Sequence, residues 1–464
     1  MSTQTEMPGG KLAGSGSFAR GIHPKDRKSG SAGAPIEVLP APREVVIPLW
    51  QHTGAPCEMT VKPKAPVAMG DVVGDVQAFV AAPVHASVDG TVGPQTVVTL
   101  PNGRRVQAVT IAAGEQKLAG RALWEDVYGG AWPTTGLAAH APEKIVDAVR
   151  QAGLVGLGGA AFPTHVKLTH NPAKPIDTLL VNGCECEPYL TADYRLMLEA
   201  PLPILVGAVL AAKACGARRI AVVVEDNKPE AIRRLRESGG RIVEGPRAGS
   251  EPGIEIVCVR TKYPMGGERQ LIPAVLGRDV PTGGLPLDVG VVVVNVGTSA
   301  AIARAVLRGR ALTHRLVSVG GEGVRSPKNL LTPIGATYAD LIEYCGGLTQ
   351  DAARIIAGGP MMGFALSDLS TPVTKGTSGV TVLTASQVKR AEETACIRCG
   401  RCVDVCPLHL VPTKLALASR KQDWETARRY YLAACCECGC CGYICPAKIP
   451  LVQLMRMGKA TMPK

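Results

Sequence analysis

Apolar residues in the first part of the chain come in short bursts broken by turns. From about Ile36 to Gln116 the stretches EVVIPL, DVVGDVQAF, PVHASVDGTV and TVVTL alternate with Pro and Gly, and this punctuation predicts a small all-β module over residues 34–118. The period changes at Pro142. There an amphipathic helix opens, with Ile145, Val146 and Val149 on one face and Pro at a position that has no intrahelical bond to lose. The apolar runs DTLLV, IAVVV, IEIVCV and VGVVVVNV follow, separated by helical stretches. They read as buried strands, so residues 140–310 are expected to form an α/β domain with a mostly parallel sheet. Local signals predict a helix ending at Cys215 before Gly216, Asn227 with Glu230 capping a helix closed before Gly239, and Thr298 as N-cap of SAAIARAVL. Residues 311–385, through LVSVGGEGV, LIEYCGG and IIAGGPMMG, predict a compact β-rich unit with one helix. The last segment, 389–464, is dominated by cysteine.

No apolar run approaches the roughly 20 residues that cross a bilayer, so any membrane role is expected to be peripheral. The first fifteen residues lack a signal-peptide core, which predicts a reducing compartment and thiols free for metal. Residues 1–33, rich in Gly, Ser, Lys and Arg, are expected to be a mobile arm containing Gly21-Ile22-His23-Pro24. The chain has 464 residues, more than one core usually supports, so several domains are expected. Its formal charge is +12. Basic residues are scattered and aromatics are only 4% of the chain, which argues against a nucleic-acid stacking surface. The charge reads either as a solvated surface or as a field that docks acidic redox partners such as ferredoxin or flavodoxin.

Sixteen cysteines are present. Two runs repeat one spacing: Cys396, Cys399, Cys402 and Cys406 before Pro407, then Cys435, Cys438, Cys441 and Cys445 before Pro446. In this two-cluster ferredoxin signature three close thiolates wrap one 4Fe-4S cluster and the distant fourth ligates the other. Cys396, Cys399, Cys402 and Cys445 are therefore assigned to one cluster, and Cys435, Cys438, Cys441 and Cys406 to the second. Structural zinc also uses C-x2-C pairs, but it collects only four ligands in two separated pairs. Cys436 and Cys440 lie inside the second run off its register, leaving a ligand swap open. The stretch TKLALASRKQDWETARRYYLAA between the runs is helical in composition, which points to an α-helical ferredoxin module. His23 and His85 lack partners at metal-binding spacing.

A glycine loop runs from Gly153 to Lys167, GLVGLGGAAFPTHVK. Glycines let backbone amides approach a phosphate closely and Lys167 offers a countercharge. A turn packed between elements fits the same residues, and the Rossmann spacing is not met.

The motifs GLGGAAFPTHVKL, LVNGCECEPYLTAD, KYPMGGERQLI and VVNVGT resemble, in the same order, those of the NADH-binding flavoprotein subunit of respiratory complex I. More closely, GIHP, EDNKPEAI, GGPMMG, TKGTSG and the paired cysteine runs resemble the C subunit of the Rnf electron transport complex, over nearly the whole chain. PVHASVDGTV resembles the hairpin of lipoyl-type barrel-sandwich domains, without a lysine at its Asp89-Gly90 turn. The resemblance implies a multidomain α/β and β protein: a barrel-sandwich-like module, a flavin- and NADH-binding α/β domain, a β-grasp-like soluble-ligand-binding domain and the two-cluster ferredoxin module.

It further implies that Gly156, Gly158, Gly159, Lys167, Asn182, Glu185, Tyr263, Asn295 and Thr298 contact FMN. Phe162, Glu187 and Glu268 would line the NADH site, where carboxylates favour NADH over NADPH. Read without the resemblance, those carboxylates are surface groups and Phe162 is core. The implied activity is electron transfer between NADH and ferredoxin coupled to Na+ or H+ movement through other membrane subunits at the cytoplasmic face of a bacterial inner membrane. The complex I pattern differs at Leu157, Ala161, His165, Cys184 and Gly267. Two other readings stay open, a soluble cobalamin reductase and a wiring subunit that has lost its nucleotide site.

Overall fold

The computed structural model describes residues 13–242, 253–388 and 392–463. In the N-terminal module Glu44–Pro48, Arg105–Ala113, Gly90–Thr99 and Pro66–Val67 form one antiparallel sheet, in that order, and Glu58–Met59, Val72–Asp75 and Val84–His85 form a second. Alternate side chains point between them, so Val45, Ile47, Val73, Val84, Val109 and Ile111 are fully buried and make the core that short strands need. The Asp89 carboxylate fixes the turn before Gly90 by accepting from the amides of Met69 and Lys117, each at 3.1 Å.

The α/β domain holds a four-stranded parallel sheet in the spatial order Ile254–Val259, Arg219–Glu225, Thr178–Asn182, Val291–Asn295. Leu179 and Val181 face a helical layer that includes Ile145, Ile204 and Ile302, while Leu180 faces Leu271 and Val275 of the helix Glu268–Leu276. With helices on both faces, successive side chains are buried on either side, which is why the strands read as unbroken apolar runs. The helix Pro201–Cys215 is apolar all round because it is covered all round. It crosses Val296–Arg308 so closely that a Cβ on Gly207 would stand 1.7 Å from the Ser299 carbonyl oxygen. Among the described residues no single helix is long and apolar enough to cross a membrane.

Two expected caps are corrected. Val291–Asn295 runs directly into the helix Val296–Arg308, so Asn295 rather than Thr298 caps it, its Oδ1 accepting from the amides of Gly297 (2.8 Å) and Thr298 (3.3 Å). Asn227 caps nothing; Lys228 holds the N-cap position of Pro229–Gly239 without a side-chain bond, and the Asn227 Oδ1 accepts from Lys228 Nζ at 3.0 Å. The helix also continues through Gly239.

A six-stranded mixed sheet follows, with the single helix Tyr338–Tyr344 capped by Thr337 and Asp340. Its edge strand comes from the other end of the chain: Ile36–Val38 pairs in parallel with Lys328–Pro333. Against the expectation of a free arm, residues 13–33 are laid along the body. The Gly14 and Gly16 amides donate to the carbonyls of Val275 and Ala274, and Ile22 bridges Tyr263. Their polar composition hid this because backbone groups make most of the contacts. The first twelve residues lie outside those described. Between the cysteine runs the helical stretch breaks at Gln422, which takes a positive φ, into Pro412–Lys421 and Trp424–Arg429, with Asp423 capping the second.

Candidate functional site

In the parallel sheet the chain builds from Thr178–Asn182 to one side, then returns to add Val291–Asn295 on the other. Loops leaving the C-terminal ends of those two strands diverge and open a crevice, the usual binding place in such sheets. Asn182 and Asn295 end the strands as register partners. The glycine loop closes over the same edge: Gly156 N donates to Phe162 O at 2.8 Å, Leu157 N donates to Thr298 Oγ1 at 2.9 Å, and Gly158 packs beside the Asn295 side chain. Gly158 and Gly159 are exposed. Gly159 has φ +107°, with no neighbour within 4 Å of where a Cβ would stand, so its backbone is open to an approaching group. Lys167 Nζ donates to Glu268 Oε1 at 2.5 Å and to Val293 O at 3.2 Å. Open glycine backbone and a lysine at a strand switch are a donor set that fits a phosphorylated cofactor, and the two carboxamides, both engaged within the chain, fix the loops that frame it.

The structure thus brings Gly156, Gly158, Gly159, Phe162, Lys167, Asn182, Asn295, Thr298 and Glu268 to one edge. The other three residues singled out in the sequence face neighbouring parts of the chain. Glu185 is buried, accepting from the amides of Asp193 (2.9 Å) and Tyr194 (3.3 Å) with Lys28 Nζ 3.9 Å away. The Glu187 carboxylate accepts from the amides of Met361 (3.1 Å) and Met362 (2.8 Å), and burial pushes it up to about 7. Tyr263 Oη donates 2.6 Å to the carbonyl of Cys438.

Sequence reasoning missed four groups. Asp193 accepts from Asn295 Nδ2 at 2.6 Å, and burial, then the nearby Glu185 charge, raise its pKa. Lys28 donates to the carbonyls of Glu185 and Leu190. Cys186 lies in an apolar cluster with Cys436, Cys438 and Cys440. Lys375, in the TKGTSG motif, is buried where three domains meet and donates to Pro83 O (2.5 Å) and Gly153 O (2.7 Å). Burial lowers it to about 7. Only the quoted TKGTSG motif pointed toward Lys375.

The two cysteine runs have one backbone trace. Arg398 and Glu437, Gly400 and Gly439, and His409 and Lys448 are equivalent positions, and all six have positive φ. These twists turn successive amides inward: Leu410 N donates to Cys406 Sγ at 3.4 Å and Glu437 N to Cys435 Sγ at 3.3 Å, the kind of bond that favours a thiolate. Cys406, Cys435, Cys438 and Cys441 line one partly open cavity together with Cys436 and Cys440. Cys396, Cys402 and Cys445 gather in the module's core while Cys399 is exposed. Among the described residues no three His, Cys, Asp or Glu side chains converge tightly enough to hold a single metal ion. Sulfurs spread around a cavity fit a larger cage.

The RnfC barrel sandwich hybrid domain matches residues 16–116, the Nuo51 FMN-binding domain 149–304, the SLBB domain 316–365 and the 4Fe-4S binding domain 392–409. The chain is 41% identical, over 89% of its length and 87% of the relative's, to the C subunit of the proton-translocating ferredoxin:NAD(+) oxidoreductase complex of Clostridium ljungdahlii. It belongs to the RnfC family. A second RnfC-type relative, the C subunit of the Na(+)-translocating ferredoxin:NAD(+) oxidoreductase complex of Acetobacterium woodii, is 41% identical over 96% of both chains. The C subunit of the ion-translocating oxidoreductase complex of Rhodobacter capsulatus is 39% identical over 96% of this chain and 83% of its own. An NAD+-reducing NiFe hydrogenase structure shares the fold at TM-score 0.52 and 21% identity, over 74% of this chain and 66% of that one.

Within this RnfC-family chain the departures from the complex I pattern have structural roles. Leu157 is buried beneath the loop and Ala161 takes φ +48°, a conformation that favours glycine. The His165 Nε2 lies 3.0 Å from Phe79 O, and Gly267 is the N-cap of Glu268–Leu276.

Proposed function

We propose that this chain is the peripheral electron-transfer subunit of a membrane complex that couples electron exchange between NADH and ferredoxin to ion movement. Gly156, Gly158, Gly159, Lys167, Asn182, Glu185, Tyr263, Asn295 and Thr298 would hold FMN, and Phe162 and Glu268 would line the nicotinamide nucleotide site. Glu187, expected beside them, is spent on the Met361 and Met362 amides. Cys396, Cys399, Cys402 and Cys445 would hold one 4Fe-4S cluster and Cys435, Cys438, Cys441 and Cys406 the other. The finer architecture that goes with this reading is a β-grasp-like third domain and an α-helical ferredoxin module. The place is the cytoplasmic face of a bacterial inner membrane, with the other subunits and ferredoxin or flavodoxin as partners.

When bound, FMN takes two electrons as hydride and gives them up singly, and each cluster carries one. The chain's own contribution is binding, orientation and charge. Glycine-loop amides and Lys167 supply donors for an anionic group. The Lys167–Glu268 ion pair is half-exposed, so an incoming phosphate can displace the carboxylate at small cost. Asn182 and Asn295 hold the two strand ends rigid through backbone bonds. No side chain is required to abstract a proton.

The observation that carries the reading is the direct hydrogen bond from Tyr263, on the loop that Asn182 ties to the crevice through Gly266, to the backbone of Cys438, on the cysteine cage. One continuous piece of protein thus joins a nucleotide-type crevice to a sulfur cage. Anaerobic reconstitution of the chain is expected to give about one FMN and about eight irons per chain, with NADH bleaching both chromophores. Zinc in place of iron, or no retained flavin, would overturn it.

A further inference from the structure

We infer that Tyr263 is a positioning residue that clamps the second cysteine run against the crevice, so that the cage of Cys435, Cys438, Cys441 and Cys406 exchanges electrons with the flavin and the cage of Cys396, Cys399, Cys402 and Cys445 is the outer station. The inference rests on the flavin and two-cluster reading above and adds an order to it.

Two loops at the C-terminal edge of the parallel sheet make the connection. Asn182 Nδ2, at the crevice, donates to Gly266 O at 2.8 Å, which ties the loop after Thr178–Asn182 to the loop carrying Tyr263. The first loop sends Cys186 into the apolar cluster that contains Cys438 and Cys440. The second sends Tyr263, 2% exposed, onto the Cys438 carbonyl.

A second clamp comes from the N-terminal segment. Ile22 and Tyr263 exchange two backbone hydrogen bonds of 3.0 Å, Gly21 N donates to Val405 O at 3.1 Å, and Arg20 donates to Val403 O at 2.6 Å. Val405 precedes Cys406, the ligand that the second cage takes from the first run. A third contact comes from the six-stranded unit, where Met361 O lies 2.6 Å from where a Cβ of Gly439 would stand. Only glycine permits that approach.

Most of these contacts land at second-cage ligands, on Cys438 itself, on Gly439 beside it and on Val405 beside Cys406, while the Arg20 bond falls on Val403, beside Cys402 of the other cage. In the first run, by contrast, Cys399 is exposed and Ile397 is 67% exposed. Transfer between redox centres slows steeply with separation, so a protein sets the order of its cofactors by where it docks them. In each step one electron leaves the reduced flavin and one cluster gains it. No protein bond forms or breaks, and Tyr263 keeps its proton because burial, first, and then the Glu187 and cysteine charges push its ionisation up.

The test uses the full chain reconstituted with FMN, iron and sulfide, with flavin content measured in every sample. Bound FMN is photoreduced with EDTA and each cluster followed by its paramagnetic resonance signal, with dithionite as control. In Cys399→Ser the second-run cluster should still be reduced through the flavin. In Cys441→Ser the first-run cluster should respond to dithionite but lose its fast response to light. The opposite pattern overturns the order. A wild-type chain that binds no FMN removes the flavin reading itself, and the order with it.

If a serine variant loses both clusters, Tyr263→Phe decides. Reduction of the second-run cluster should slow several-fold at an unchanged midpoint potential, and amide exchange should quicken over 437–441 but not over 397–400. Unchanged rate and exchange would reject Tyr263 as the clamp.

Discussion

Asn182 and Asn295 face one another in register at the C-terminal ends of adjacent parallel strands, and each carboxamide is fully engaged by neighbouring parts of the chain. Asn182 joins Gly266 O to Cys184 N, while Asn295 caps the following helix and donates to Asp193. The crevice is therefore framed by two residues that fix loops before any ligand arrives.

Asn295→Ala removes that cap and strands the Asp193 carboxyl. A lost N-cap costs roughly 0.5–2 kcal/mol, and an unpartnered buried group adds about 1–3 kcal/mol. Chemical unfolding should show a destabilisation in that combined range, together with loss of FMN. Unchanged stability would contradict the capping role.

Lys167→Ala should behave differently. Its ion pair with Glu268 is partly exposed, so the fold should lose no more than about 1 kcal/mol, while retained FMN falls sharply. Flavin content and thermal unfolding of the same sample separate the two effects. A variant that keeps its flavin would take Lys167 out of the site.

Gly207→Val tests the helix crossing beneath the sheet. A Cβ there meets the Ser299 carbonyl at 1.7 Å, closer than any repacking of side chains can relieve. Overpacked cores lose about 1–3 kcal/mol, and a backbone clash belongs at or above the top of that range. Near-normal unfolding would show that the two helices separate freely.

Lys375 gives a pH signature. Burial lowers it from 10.5 to about 7, so between those values the unfolded chain binds the proton more tightly than the folded one, and stability rises with pH across that window. At pH 7 and below the full penalty is present. His52 and His85, lowered to about 4 and about 3 by burial and then by the Lys375 charge, act in the same sense, with stability falling as pH drops below 6.5. Relative to wild type, Lys375→Met should flatten the rise from pH 7 to 9, by up to about 1.4 kcal/mol per unit. Parallel unfolding curves would reject a protonation change at this lysine.

What the sequence made legible is what local pattern controls. DTLLV and IAVVV are strands because helices cover both faces, and the cysteine spacing is itself the curvature of the loops. Pairings across long separations were invisible: Lys375 meets Pro83 at a separation of 292 residues, and Tyr263 meets Cys438 at 175. Neither periodicity nor composition encodes such meetings. Thr298 failed as a cap because the strand Val291–Asn295 leaves no loop before its helix, which moves the cap to Asn295. Glu187 read as a nucleotide ligand by its neighbours in the motif, yet its carboxylate is turned to the Met361–Met362 amides. The polar segment 13–33 read as solvated, but its main chain joins the α/β domain and the cysteine module.

The placement of Ile36–Val38 beside Lys328–Pro333 bears on how the protein is made. During synthesis this strand emerges long before its partner, and the Gly21–Ile22 stretch precedes both Tyr263 and Val405, so neither can settle until most of the polypeptide has left the ribosome. The Gly21–Val38 stretch therefore waits, unpaired, on partners made much later. A bulky insertion close to Gly14 would stand in the way of that late pairing.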